Sequence, residues 1–140
     1  MSQAVLYNPG REGFLKGEIS ANVATIKMDL GRGYTFDATD KFVSDLTSHT
    51  AVSTVTLGTK TVTDGVFDAA DAVFPTVGVG AACPYLIIYQ SSAVTGGADV
   101  ATSAQRLIAY IDNAAGLPVT PTGADIAFTF DAGTNRIFKL

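Results

Sequence analysis

Thr54–Ser92, TVTLGTKTVTDGVFDAADAVFPTVGVGAACPYLIIYQSS, decides the fold. Strand-like runs are separated here by turn residues: Val55–Leu57 with Thr61–Val66, then Ala72–Val77, then Tyr85–Tyr89. In Val55-Thr56-Leu57 and Val62-Thr63 apolar and hydroxyl side chains alternate, the period of a strand with one buried and one wet face. Asp64-Gly65 is a tight-turn dipeptide, because Gly accepts the positive φ such turns need. Tyr85-Leu86-Ile87-Ile88-Tyr89 is apolar throughout and predicts a strand covered on both faces. No titratable cluster interrupts the stretch, so the chain is organised around a sheet.

The flanking segments extend the pattern. Tyr7–Gly17, YNPGREGFLKG, predicts a helix with Asn8 as N-cap, Pro9 in the first turn and Gly17 at the C′ position, with Phe14 and Leu15 turned inward. Internal Gly10 and Gly13 weaken it by about 1 kcal/mol each relative to Ala. Val23–Leu30 predicts a half-buried strand with Ile26, Met28 and Leu30 on one face, followed by a Gly31-Arg32-Gly33 loop. In Thr39–Thr47 the apolar spacing of Phe42, Val43 and Leu46 predicts a short helix capped by Thr39 or Asp40. Ala93–Ser103 predicts a long exposed loop, and Arg106–Asp112 a strand. Gly116–Gly123 is irregular because its two prolines cannot sit in a ladder. Asp125–Asp131 predicts a strand, Asp131-Ala132-Gly133-Thr134 a hairpin turn, and Asn135–Leu140 the last strand. The expected fold is mainly β: an antiparallel β-sandwich, jelly-roll-like or barrel-like, with one or two short helices. One domain spans 1–140, divided into an N-terminal arm with a short helix over 1–20 and the sandwich over 21–140. Deleting Met1–Gly17 is expected to leave the sheet folded and to weaken assembly.

The 140 residues suffice for one domain that buries roughly two-thirds of its unfolded surface. Hydrophobic residues make up 47% and charged residues 16%, against about 25% charged in ordinary soluble domains. The outside must therefore be rich in Thr, Ser, Ala and Gly, a composition suited to packing against other proteins. A net charge of -4 and nine scattered basic residues disfavour a nucleic-acid role. Met1-Ser2-Gln3 leads into a polar segment without a signal-peptide core, and no apolar run approaches the roughly 18 residues of a membrane span. A soluble protein made in a reducing compartment is expected, and Cys83 reads as a small core residue.

Chemistry is sparse. His49 is the single histidine; with Ser48 and Thr50 it could be drawn into a hydrolase arrangement, but sequence proximity makes no triad, and a solvent-facing loop residue is expected. No HExxH or CxxC spacing exists. Asp64, Asp68 and Asp71 could be imagined around calcium, but their interval does not fit an EF-hand, and turn and strand-end roles are expected. Gly31-Arg32-Gly33 and Gly78-Val79-Gly80 lack the Lys-Ser/Thr that phosphate loops require. No catalytic residue, metal site or cofactor is expected.

Seven segments taken in order carry more information: Tyr7–Ile19 (YNPGREGFLKGEI), Ala24–Leu30 (ATIKMDL), Lys41–Leu46 (KFVSDL), Lys60–Phe74 (KTVTDGVFDAADAVF), Arg106–Asp112 (RLIAYID), Gly116–Ile126 (GLPVTPTGADI) and Asn135–Leu140 (NRIFKL). Through them the chain resembles, over nearly its whole length, a widespread family of small structural proteins encoded by tailed bacteriophages. It departs in a shorter stretch between Asp29 and Thr39, and in Phe130 where Trp is frequent. The resemblance implies a virion component made in the host cytoplasm, with no catalytic residues. A capsid decoration or cement protein is the first expectation, bound in many copies to the major capsid protein and closing into a homo-oligomer, a trimer being favoured. A head–tail connector, tail or fibre component is the alternative. A carbohydrate-binding module would need exposed Tyr7, Tyr34, Tyr85 or Tyr89 to stack on sugar rings, whereas strand tyrosines are more often buried.

Overall fold

The computed structural model describes residues 4–130 and 136–140. The fold is an antiparallel β-sandwich; among the described residues there is one α-helix, and no sheet closes into a barrel. In chain order the elements are β1 (Val5–Leu6), α1 (Asn8–Lys16), β2 (Ile26–Arg32), β3 (Thr50–Thr56), β4 (Thr61–Thr63), β5 (Val66–Asp68), β6 (Ala72–Phe74), β7 (Tyr85–Gln90), β8 (Ser92–Ala93), β9 (Gly96–Asp99), β10 (Arg106–Ile111), β11 (Ile126–Phe128) and β12 (Phe138–Lys139). The main sheet has the order β1-β10-β7-β2-β3. A three-stranded sheet, β12-β5-β4, and a pair, β11-β6, form the opposing layer, while β8 and β9 make a separate hairpin.

β7 and β10 are buried at every position, as their unbroken apolar runs require. Their side chains alternate between two cores. On the first face Ile26, Met28, Leu30, Leu86 and Ile88 join Phe67, Phe74, Phe128 and Phe138 from the opposing layer. On the second face Tyr85, Ile87, Tyr89, Leu107 and Tyr110 meet Tyr7, Tyr34 and Leu46, with Phe36 packed against them. Here the cover is the crossover between β2 and β3. The Asp64-Gly65 turn joins β4 to β5 with φ of +52° and +77°, the pair of positive values a two-residue hairpin favours. Cys83 is buried, with its backbone bridged to Val119.

Several expectations are corrected. Helix α1 begins at Asn8, but its N-cap is Tyr7, in extended backbone and with no side-chain cap. Gly17 closes the helix at φ +74°, as expected. Leu15 is 89% exposed, and only Phe14 of the expected pair turns inward, its ring centroid 5.9 Å from that of Phe138. The helix meets the sheet through its glycines: a Cβ on Gly10 would lie 2.8 Å from the Leu107 carbonyl oxygen, and one on Gly13 2.7 Å from Arg106 Nη2. Residues 5–16 are thus built into the sandwich: β1 pairs with β10, and Tyr7 is fully buried in the second core.

Gly31 and Arg32 continue β2 and do not form a loop, and Val23 stands outside the strand, exposed. The helix expected over Thr39–Thr47 shrinks to a 3-10 turn at Val43–Asp45. Neither Thr39 nor Asp40 caps it; the Asp45 carboxylate accepts the Phe42 N–H at 2.9 Å and the Lys41 N–H at 3.2 Å. The physical reason is competition: Phe42 bridges to Arg106, the Val43 N–H donates to the Gln105 carbonyl, and the Leu107 N–H to that of Lys41. Ala93–Ser103 contains the β8–β9 hairpin instead of an open loop, tied down by Thr25 Oγ1 donating to the Gly97 carbonyl and by Lys27–Asp99 at 2.5 Å. The turn expected at Asp131-Ala132-Gly133-Thr134 lies outside the described residues. No helix among those residues is long and apolar enough to cross a membrane.

Candidate functional site

The greatest concentration of polar groups lies at the outer end of the second core. β2 contributes Asp29, whose apolar neighbours Met28 and Leu30 point to the opposite face. β3 contributes Thr54, β7 contributes Tyr85 and Tyr89, and the crossover contributes Tyr34 and His49. Asp29 Oδ1 accepts from Thr54 Oγ1 at 2.6 Å and from Tyr89 Oη at 3.1 Å. Asp29 Oδ2 stands 3.2 Å from His49 Nε2, and His49 Nδ1 2.9 Å from Tyr85 Oη. The Tyr85 oxygen also accepts the Tyr34 backbone N–H at 3.1 Å. Gly31 makes room for the imidazole: a Cβ there would lie 2.4 Å from His49 Cε1 and 2.9 Å from Tyr85 Cε1. A residue expected in a loop is therefore the floor under the histidine. His49 itself, expected to face solvent, has a buried side chain, because it gives the second oxygen of the buried Asp29 carboxylate, Oδ2, a partner beside the two that Oδ1 already has.

One assignment of protons satisfies the chain of bonds. His49 Nε2–H donates to Asp29, and the Tyr85 hydroxyl donates to Nδ1 while accepting from Tyr34. Burial pushes the Tyr85 hydroxyl up to about 12 from its ordinary 10.0, and raises Tyr89 as well. Those shifts hold the phenols neutral, the reverse of what nucleophile activation demands. The Asp–His half resembles the supporting half of a hydrolase triad, but the group beyond it is a hydroxyl locked inside the protein. No hydrogen bond joins the ring to Ser48 or Thr50 among the described residues, and both are exposed.

A second branch begins at Tyr7, whose hydroxyl lies 3.4 Å from Tyr34 Oη. Tyr34 donates to Asp40 Oδ2 at 2.7 Å and accepts the Asp37 N–H at 3.0 Å. Burial raises Asp40 from the usual carboxylate range and pushes Tyr34 up to about 12. Above this branch lies an open cleft of about 690 Å³ between residues 33–40 and Thr47-Ser48. Its polar floor is already bonded to the protein. The arrangement clamps the crossover onto the sheet and presents a shallow surface.

The three aspartates weighed for calcium are spent separately: Asp64 in its turn, Asp68 on Arg136 at 2.6 Å, and Asp71 accepting the Phe130 N–H at 2.8 Å. No group of three or more His, Cys, Asp or Glu side chains placed to hold a metal ion occurs among the described residues. Tyr7, Tyr34, Tyr85 and Tyr89 are all buried and offer no stacking platform for sugars. Asp29 and Thr54 have no functional role in the sequence expectations, and Tyr89 is weighed there only as a stacking platform. The signal for Asp29 is present, since a carboxylate centred in an alternating apolar strand must find a partner. Comparison with protein-family models, with curated proteins and with solved structures finds no match.

Proposed function

We propose that the chain is a non-enzymatic structural protein of a tailed-bacteriophage virion, and within that class a capsid decoration or cement protein on the outer shell. The observation that carries this is where the polar chemistry is spent. The buried Asp29–His49–Tyr85 network is closed by protein partners on every side. The exposed strands β3 and β4 offer TAVSTVT and TVT, hydroxyl and apolar side chains without charge. An inward-facing polar network rigidifies a domain, and a charge-poor outside suits contact with other proteins. The ordered sequence segments that resemble tailed-phage structural proteins supply the virion context. Its partners are then the major capsid protein or other virion proteins and further copies of itself, with individually modest contacts summed by multivalency.

The test is the copy number of the chain per purified particle, measured by quantitative mass spectrometry against the major capsid protein. Hundreds of copies support the decoration role. About a dozen or fewer move the chain to the neck, tail or fibres, and absence from particles removes the virion role.

A further inference from the structure

β3 is the outer strand of the main sheet: β2 pairs with one side of it, and no described strand pairs with the other. Its seven residues, TAVSTVT, contain no charge and no proline, although natural edge strands are ordinarily shielded by Lys, Pro or brevity. One shielding device is present, a bulge at Val52, where the pair Leu30↔Ser53 is followed by Gly31↔Ala51. Ser53–Thr56 remains regular. Because the Leu57 N–H donates to the Ile26 carbonyl at 2.9 Å, antiparallel alternation turns the N–H and C=O groups of Thr54 and Thr56 away from β2. Those groups form a template for another strand.

We propose that this edge pairs antiparallel with β3 of a second copy of the chain about a two-fold axis at Thr54, joining two main sheets into one. The strand complements itself. With Thr54 opposite Thr54, Ser53 meets Val55, so no like charges oppose one another and facing residues in this regular part lie on the same side of the sheet, while Thr56 falls opposite the bulged Val52. A charged partner segment would find no complementary charge along β3, whereas a second β3 needs none. At the other end of the sheet β1 has only two residues, too few to compete. The pairing is isologous and closes at two copies, in contrast to the three-fold closure expected from sequence. It does not depend on the virion role.

The test uses the full chain, its mass followed by sedimentation equilibrium over a concentration series, with amide exchange read at Thr54 and Thr56. A dimer with slow exchange at both amides is expected. Thr56→Pro removes an outward N–H and leaves the β2 ladder bonded, and Ala51→Lys places a charge on the exposed edge. Each should weaken dimerisation about tenfold or more, speed exchange at the edge amides, and leave the melting temperature of the monomer unchanged. If Thr56→Pro does not fold, Ala51→Lys decides alone. A monomer throughout the series, a trimer, or a dimer that survives the folded variants unweakened overturns the proposal.

Discussion

Asp29 governs the stability of the second core because one carboxylate satisfies three side chains. Removing it by Asp29→Ala leaves Thr54, Tyr89 and His49 without their acceptor, and a loss of about 1–3 kcal/mol follows from the desolvated groups left behind. Thr54→Val removes one donor and keeps the shape, so its loss should be about 0.5–1.5 kcal/mol. Urea unfolding of both variants checks the order, and equal losses would mean that the bonds to His49 and Tyr89 contribute nothing. The tyrosines set an alkaline limit. Tyr34 and Tyr85 have ordinary values of 10.0 and are raised to about 12 in the fold, so above pH 10 the unfolded chain loses their protons first. Their contribution is fully present below that pH and is lost as pH rises through 12. Urea midpoints should fall across this window in step with tyrosinate absorbance; midpoints flat to the upper end would place these hydroxyls in water.

At the scale of elements, the glycines of α1 reverse the ordinary propensity argument. Ala is favoured over Gly within a helix by about 1 kcal/mol, yet Gly10→Ala should lower stability by about 1–3 kcal/mol, since its Cβ would press on the Leu107 carbonyl. Leu15→Ala, on the exposed side of the same helix, should leave the thermal midpoint within about 1 kcal/mol of the parent in equivalent stability. A stabilised Gly10→Ala protein would show that the helix stands off the sheet. The same elements show what was legible beforehand. β7, β10 and the Asp64-Gly65 turn follow from local pattern alone. The glycine face of α1 does not, because a close backbone approach leaves no apolar periodicity to read. The 42–46 segment misleads for a related reason: its spacing suits a helix, but pairing with β10 takes the backbone donors and acceptors first. His49 looked peripheral because its partners, Asp29 and Tyr85, lie 20 and 36 residues away in the chain.

For the molecule as a whole, the central strand is the most sensitive place to introduce charge. Ile87 is buried between β2 and β10 on the second face, and Ile87→Asp should abolish cooperative unfolding because it buries a second carboxylate directly opposite that of Asp29. A normal melting temperature for that variant would displace β7 from the centre of the sheet. Deleting Met1–Gly17 should unfold the sandwich instead of trimming it, since β1, the α1 contact and Tyr7 all leave with that segment; far-ultraviolet circular dichroism would detect the loss. Pairings distant in sequence dominate this architecture, which places the expected folding rate in the millisecond-to-second range of all-β domains.

Ala4 donates its backbone N–H to the carbonyl of Ile137 at 3.1 Å, so the first and last described stretches touch. That single bond makes the fold topologically close to a ring. Joining the two ends with a short flexible linker and opening the chain within the exposed Gly78-Val79-Gly80 segment should yield a permuted protein that retains every strand pairing. Segments attached ahead of Ala4 and after Ile137 would leave the sandwich from neighbouring points on its surface.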